Sequence, residues 1–298
     1  MTPFEIRVPA SSANIGPGFD SMGLALDLYL TVAVYPSDKW QVFQNSPHLP
    51  NQTDDEDHYI LQMARSVAAR WNQELPACRL RIESEIPLAR GLGSSASAIV
   101  AGIELADQVC VLNLTQEQKL EIGTEIEGHP DNIAPALMGG FIISTVVDGH
   151  VDWISLPDPD LEMVLYIPGS DLKTEEARNA LPATYTRELA ASASAISNVL
   201  IASLAAGDYL LAGRMMEHDL FHEPYRASLI PNYESIRDEA KQQGAYGTVI
   251  SGAGPTMMSF IPKEKGQTIA THFQRFLPDY QVVLLLANHT GSSITHMT

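Results

Sequence analysis

The chain has 298 residues, of which 45% are hydrophobic, and its formal net charge is −18. That length is sufficient for one large domain or two ordinary ones with substantial cores. The strongly negative charge argues against nucleic acids and anionic membrane surfaces as partners, because it repels both.

The first predicted elements surround a polar, glycine-rich loop. Residues 1–10 lack the basic and apolar segments of a signal peptide, so we expect a cytoplasmic protein. Alternating residues predict strands at 4–9 and near 29–34, and the loop at 10–20 (ASSANIGPGFD) lies between them. Long ordered loops usually have a function, which makes Asn14 and Asp20 candidate site residues, with two Asx turns as the simpler alternative.

The next elements lead to a second glycine-rich segment. We expect a strand at 40–43, an exposed acidic loop at 51–57, a helix at 59–71 and a strand at 78–84. Cys78 in that strand and Cys110 in the following helix are expected to be buried free thiols. We find no run that approaches the ~20 apolar residues of a membrane span.

The segment PLARGLGSSASA at 87–98 has the features of a phosphate-binding turn. Gly91 and Gly93 let backbone N–H groups approach a ligand closely, and Ser94 and Ser95 offer hydroxyl groups where a helix begins. The N-terminus of a helix favours anions. The segment lacks the GK[ST] of a Walker A loop, and a second helical pattern follows where a dinucleotide-binding fold requires a strand. A tight turn with an N-cap remains the simpler alternative.

A polar helix junction follows this segment. A capping-box pattern at 115–118 predicts a helix that carries Glu121. The sequence EGHPDN at 127–132 ends that helix and opens the next one, which brings His129, Asp131 and Asn132 together. On these residues alone, a solvated glutamate and a capping cluster are the simplest interpretations.

The composition changes near residues 157–160 (PDPD), where we place the boundary between domains 1–157 and 158–298. A hairpin at 141–155 precedes this boundary. Beyond it, a β-α-β-β-α-β order is expected, with strands at 161–167, 247–251, 257–261 and 280–286. That order is typical of a ferredoxin-like sandwich.

Three motifs, in this order, are similar to those of the GHMP small-molecule kinases. They are PASSANIGPGFDSMG at 9–23, PLARGLGSSASA at 87–98 and GTVISGAGPT at 247–256. Within that superfamily, EGHPDN, TEEAR at 174–178 and EPYRASLIPN at 223–232 resemble the homoserine kinase family. The resemblance implies an α+β fold of two domains. The N-terminal domain would be ribosomal-protein-like with a left-handed βαβ unit, and the C-terminal domain ferredoxin-like.

The resemblance also implies a reaction, in which MgATP transfers its γ-phosphoryl group to the side-chain hydroxyl of L-homoserine in threonine biosynthesis. The residues implied to hold the ATP phosphates are Pro87, Leu88, Ala89, Arg90, Gly91, Leu92, Gly93, Ser94, Ser95 and Ala96. Ser94 and Glu121 match the family's Mg²⁺ ligands. Asn132 stands where other GHMP kinases have a catalytic aspartate. Asparagine is not a base, so we expect no strong protein base and a structural role for Asp131.

The substrate-binding residues implied by the resemblance are Asn14, Asp20, His129, Thr174, Arg178, Arg226 and Gly252. The two arginines would bind the carboxylate of homoserine, and Asp20 its ammonium group. The adenine contacts are left open, because His58 and Tyr59 stand where the family usually has an asparagine and an apolar residue. The resemblance suggests a homodimer as well. Two alternatives remain: a GHMP kinase for another small carboxylate-bearing alcohol, or a non-catalytic nucleotide-binding regulator.

Overall fold

The computed structural model describes residues 1–49, 57–157 and 159–297, so the predicted acidic loop lies outside the described residues except for Asp57. The strands, in chain order, are β1 (Phe4–Ala13), β2 (Met22–Pro36), β3 (Gln41–Gln44), β4 (Cys78–Ser84), β5 (Phe141–Val147), β6 (His150–Leu156), β7 (Leu161–Pro168), β8 (Gly247–Ile250), β9 (Met257–Pro262), β10 (Tyr280–Leu285) and β11 (Ser293–His296). The helices are α1 (Tyr59–Arg70), α2 (Ser94–Cys110), α3 (Gln116–Glu127), α4 (Ile133–Met138), α5 (Thr174–Asn179), α6 (Arg187–Ala206), α7 (Tyr209–Met216), α8 (Glu223–Arg226), α9 (Tyr233–Gln242) and α10 (Gly266–Phe276).

The larger sheet is built around β2, which is 15 residues long. Its strand order is β11-β1-β2-β4-β3, and β5, followed by β6, pairs with the first part of β2. Among the strands of the described residues, only β3 and β4 pair in parallel, and α1 lies between them in the chain. The predicted strand at 29–34 is therefore the second half of a longer strand. Because β1 and β2 pair through Ala13 and Gly23, they hold both ends of the glycine-rich loop.

The smaller sheet is antiparallel with the order β10-β7-β9-β8. The elements β7, α9, β8, β9, α10 and β10 give the ferredoxin-like order that was predicted from the sequence, and α9 and α10 both pack on this sheet. Its outer face carries a separate apolar core that includes Tyr166, Ile236 and Phe273. The last strand of the chain, β11, returns to the larger sheet and pairs with β1, which the sequence analysis did not predict. Residue 158, the first of the predicted second domain, lies outside the described residues.

Helix α2 lies in the middle of the N-terminal half because its small residues allow close packing. A Cβ atom at Gly102 would lie 2.6 Å from the Cβ of Met63 on α1. Two buried acidic side chains of α2, Glu104 and Asp107, each lie 2.7 Å from the ammonium of Lys119 on α3. Removing one partner of a buried ion pair is costly, so this cluster fixes α3 against α2.

Helix α6 has the composition of a membrane span but is mostly exposed. Its mean hydropathy is 1.7 over an 18-residue window, of which 22% is buried. The sequence analysis expected no run of about 20 apolar residues, and α6 meets the criterion of a span by length and composition alone. One helix of this kind is weak support for a membrane span, and the cytoplasmic location stays a prediction. Both cysteines are free, as predicted, although Cys110 is only half-buried.

Candidate active site

One cleft brings most of the predicted site residues together. It encloses about 610 Å³, part of which is open solvent, between the loop after β1, the turn before α2, the junction after α3 and the helices α5 and α8. The predicted residues that line it are Asn14, Asp20, Ala89, Arg90, Gly91, Leu92, Gly93, Ser94, Ser95, His129, Asn132, Thr174, Arg178, Arg226 and Gly252. The predicted residues Pro87, Leu88, Ala96 and Glu121 do not line it.

The turn before α2 exposes the N-terminus of the helix to the cleft. Gly91 and Gly93 have φ angles of 70° and 68°, in the left-handed region that favours glycine. A Cβ atom at Gly91 would collide with the carbonyl oxygen of Ser251, and one at Gly93 with the hydroxyl of Ser11. Gly93 caps α2 without a side-chain hydrogen bond, so the first N–H groups of the helix remain available. This geometry suits an anion such as a phosphate.

Arg90 holds this turn in place with its side chain. Its guanidinium donates hydrogen bonds to the carbonyl oxygens of Pro168 at 3.1 Å and Gly169 at 2.7 Å. A third bond, of 3.1 Å, goes to the carbonyl of Leu88. Arg90 was predicted among the phosphate-binding residues, and the structure shows that its charge is engaged by the backbone at the end of β7. Arg90 therefore ties the turn before α2 to the end of β7.

The two glutamates of α3 lie in different surroundings. Glu121 faces away from the cleft, is 42% exposed and lies 3.2 Å from Nδ1 of His150 on β6. Glu127 lines the cleft and accepts a 2.9 Å hydrogen bond from the hydroxyl of Ser95. Glu121 and Glu127 are six residues apart, which is about 600° around the helix axis at about 100° per residue. Their side chains therefore point in directions about 120° apart. The structure therefore does not support Glu121 as a metal ligand and offers Glu127 instead, a residue that the sequence analysis missed.

The residues around Glu127 fit a divalent cation. Burial raises the pKa of the Glu127 carboxyl, against the opposing hydrogen bond from Ser95 and the charge of His129. A bound cation would offset that burial penalty, because it favours the charged carboxylate. Hydroxyl and carboxylate oxygens are ligands that Mg²⁺ accepts together with phosphate oxygens and waters. The serine pair and Glu127 are therefore a suitable set of donors beside the anion-binding turn.

Two arginines and an aspartate form the other half of the cleft. Arg178 pairs with Asp20, with Nη2 lying 3.1 Å from Oδ1, and both side chains are about two-fifths exposed. Arg226 is 2% exposed. Its Nε donates to the carbonyl of Ala177 at 3.1 Å and its Nη1 to that of Gly252 at 3.3 Å. A cleft that holds two guanidinium groups and a carboxylate can pair with both ends of a zwitterion.

Asn14 connects two walls of the cleft. Its Nδ2 donates to the carbonyl of Gly252 at 2.9 Å, and its Oδ1 accepts from the N–H of Asp20 at 3.0 Å. Asp20 itself has a φ angle of 54°, which this contact stabilises. Asn14 was predicted to bind substrate, and the structure gives it a clear role in holding the backbone around Asp20.

The junction after α3 carries a tight polar cluster. Nδ1 of His129 lies 2.5 Å from a carboxylate oxygen of Asp131, which is 2% exposed. Burial lowers the pKa of His129, but the hydrogen bond and charge of Asp131 outweigh it, so the net pKa is raised. Asn132 accepts a 2.9 Å hydrogen bond from the hydroxyl of Ser11 at its Oδ1. Ser11, which fixes the orientation of this amide, was missed because its partner lies 121 residues away.

The fold and the anion-binding turn define a class of protein, the GHMP small-molecule kinases. The family models of the GHMP kinase N-terminal and C-terminal domains match residues 58–140 and 200–279. A mevalonate kinase structure from L. major superposes with a TM-score of 0.75 at 17% identity, covering 96% of each chain. At that identity the likeness supports the fold alone.

The chain belongs to the homoserine kinase family. It is 54% identical to a homoserine kinase from Oceanobacillus iheyensis, with 99% of each chain covered. It is 43% identical to one from Bacillus licheniformis, covering 97% of this chain and 94% of the relative. A homoserine kinase structure from Cytophaga hutchinsonii has a TM-score of 0.85 and 28% identity, over 99% of this chain and 98% of that one. Both the resemblance and the two-domain fold expected from the sequence are confirmed.

Proposed function

We propose that this protein transfers the γ-phosphoryl group of ATP to the side-chain hydroxyl of L-homoserine, which forms O-phospho-L-homoserine for threonine biosynthesis. The observation that carries this proposal is one cleft in which an anion-binding helix N-terminus meets two arginines and an aspartate. The curated relatives at 54% and 43% identity, both named homoserine kinase, support the same acceptor. Phosphoryl transfer depends mostly on positioning and charge neutralisation, which this cleft supplies.

At the phosphate end, the backbone N–H groups from Gly91 to Ser95 would surround the ATP phosphates. Mg²⁺ would be held by Glu127 together with a hydroxyl of the adjacent serine pair, Ser94 or Ser95. The ion would neutralise charge that develops on the β- and γ-phosphate oxygens. Glu127 already orients Ser95 through its hydrogen bond, so the donors are close together before a ligand arrives.

At the acceptor end, Arg226 and Arg178 would bind the homoserine carboxylate. Planar guanidinium groups suit a carboxylate because each can donate two parallel hydrogen bonds. Asp20 would receive the ammonium group. In the structure Asp20 is paired with Arg178, so an entering zwitterion replaces one internal ion pair with two external ones. That exchange keeps every charge paired, and it selects an acceptor that carries both groups.

We expect no strong protein base for the reacting hydroxyl among the described cleft residues. Asn132 stands in the position of the catalytic aspartate of other GHMP kinases, and its amide cannot accept a proton to a useful degree. Asp131 is adjacent, but its carboxylate is engaged by His129. The departing proton would therefore pass to the phosphate or to solvent. We assign Asp131 a structural role, which orients His129 at the edge of the cleft.

The experiment that tests the proposal measures ADP release from MgATP with a panel of acceptors. L-homoserine is compared with D-homoserine, L-threonine, L-serine, mevalonate and shikimate. We expect turnover that is selective for L-homoserine, since only it presents a γ-hydroxyl with a correctly placed carboxylate and ammonium group. Selective turnover of another alcohol would overturn the acceptor assignment. ATP binding without turnover of any of these acceptors would favour a regulatory protein.

A further inference from the structure

A buried histidine beneath the acceptor end of the cleft connects three parts of the site. His222, the residue before α8, is fully buried. It contacts the glycine-rich loop through Gly16, the arginine of α8 through Arg226, and the ring of Phe19. The contact with Gly16 was not visible from the sequence, because Gly16 lies 206 residues away along the chain.

The hydrogen bonds of His222 define one tautomer of its ring. Nε2 lies 2.9 Å from the carbonyl oxygen of Gly16, which can only accept, so Nε2 carries the hydrogen. In the neutral ring Nδ1 is then an acceptor, and it lies 3.3 Å from Nη1 of Arg226, which can only donate. Burial lowers the pKa of His222, against the raising effect of the Asp219 carboxylate, so the neutral form is favoured. This tautomer satisfies both neighbours at once.

The backbone around His222 is held by a separate carboxylate. Asp219 accepts hydrogen bonds from the N–H groups of Phe221 at 3.0 Å, His222 at 2.8 Å and Glu223 at 2.7 Å. Its Oδ2 also lies 3.6 Å from Nε2 of the imidazole. The turn that leads into α8 is therefore rigid, and the imidazole projects from a fixed backbone.

These contacts determine which part of Arg226 is available. Nε and Nη1 donate to the carbonyls of Ala177 and Gly252 and to the imidazole of His222. Among the described residues, none accepts a hydrogen bond from Nη2. The guanidinium also lies over the ring of Phe19, with 5.5 Å between its carbon and the ring centroid, and that ring stacks on His222 at 5.4 Å. Hydrogen bonds therefore hold Nε and Nη1 of the guanidinium, and the ring of Phe19 covers one of its faces. Nη2 is the nitrogen that remains available to a ligand.

We propose that His222 is a positioning residue for phosphoryl transfer to homoserine: its Nδ1 fixes the plane of Arg226 so that Nη2 is presented to the acceptor carboxylate. This inference rests on the proposed function, since it assigns the carboxylate to Arg226. His222 does not touch the acceptor. Its contact with Gly16 holds the imidazole in the orientation in which Nδ1 faces Arg226.

The test compares two substitutions of His222 with a matched control. His222→Phe keeps an aromatic ring against Phe19 but removes both hydrogen bonds, whereas His222→Asn can place an amide oxygen near the position of Nδ1. We expect His222→Phe to raise the KM for L-homoserine about tenfold, and to change the KM for ATP less than twofold. His222→Asn should recover most of that loss. His218→Asn alters an exposed histidine on the same segment and should leave both constants unchanged.

A double-substitution cycle separates positioning from a general structural role. If His222 acts through Arg226, then His222→Phe has no further effect on the homoserine KM in an Arg226→Ala background. An equal effect in both backgrounds, or equal rises in both KM values, would overturn the inference. If His222→Phe does not fold, a homoserine KM for His222→Asn like that of wild type supports it, and one raised as far as in Arg226→Ala contradicts it. Failure of the proposed function is distinguishable, because wild-type protein would then not phosphorylate homoserine at all.

Discussion

Glu127→Gln distinguishes most sharply between two assignments of the metal ligand: Glu127, which the structure favours, and Glu121, which the sequence resemblance implies. The change replaces a carboxylate oxygen by an amide nitrogen and keeps the size of the side chain. Glu121→Gln is the matched control, because it makes the same change on the same helix but outside the cleft. We expect a large loss of phosphoryl transfer for Glu127→Gln and nearly wild-type activity for Glu121→Gln.

The size of the loss follows from the position of Glu127. Two unit charges about 4 Å apart interact by about 4 kcal/mol at an effective dielectric constant of 20, which is typical near a protein surface. Water can occupy the vacated coordination position and restore part of this stabilisation. A net loss of about 3 kcal/mol remains, which corresponds to a roughly 150-fold decrease in kcat/KM for MgATP. Glu121→Gln removes only a contact with an exposed histidine, and exposed pairs of this kind contribute about 0–1 kcal/mol.

The assay is steady-state ADP release at saturating L-homoserine, repeated over a range of free Mg²⁺ concentrations. Glu127→Gln should need a higher free Mg²⁺ concentration for half-maximal activity than the wild type, whereas Glu121→Gln should not. Circular dichroism and the melting temperature establish that both variants are folded. Wild-type activity in Glu127→Gln together with a large loss in Glu121→Gln would refute the assignment of Glu127.

Three further predictions concern the acceptor end and the core. Arg226→Ala should raise the KM for L-homoserine roughly 10- to 150-fold with little change for ATP, since a charged hydrogen bond contributes about 1.5–3 kcal/mol. An equal rise in the KM values for L-homoserine and ATP would contradict the assignment of Arg226 to the acceptor carboxylate. Asp131→Asn should keep kcat within a few-fold, and a large kcat loss with unchanged KM and fold would make Asp131 the base. Burial raises the pKa of Glu223 to about 7, so its protonated form stabilises the fold below about pH 4.5, and this contribution is lost as the pH rises through 7. Between pH 5 and 8, the melting temperature of Glu223→Gln should therefore fall less than that of the wild type. Equal decreases in the two proteins would contradict the raised pKa of Glu223.

The local features of the site were predictable from the sequence, whereas its long-range contacts were not. The turn before α2 and the junction after α3 are short segments whose glycines, serines and capping residues indicate their own geometry. The hydrogen bond between Ser11 and Asn132 joins segments 121 residues apart, and no periodicity in the sequence predicts it. The same holds for β11, which pairs with β1 only after the rest of the fold is in place.

The choice between the two glutamates of α3 shows where a resemblance has to be checked against geometry. Glu121 matches a family position, whereas Glu127 belongs to the junction motif EGHPDN. Helix periodicity shows that the two side chains point in different directions, but it does not show which of them faces the cleft. The contact between Ser95 and Glu127 supplies that information.

The central claim is that one cleft binds a phosphate donor and a zwitterionic alcohol side by side. A crystal structure with L-homoserine, Mg²⁺ and a non-hydrolysable ATP analogue tests it most directly. We predict the homoserine carboxylate on Arg226 and Arg178, its ammonium group on Asp20, and the metal ion on Glu127. A homoserine bound away from both arginines, or a metal ion on Glu121, would contradict the claim.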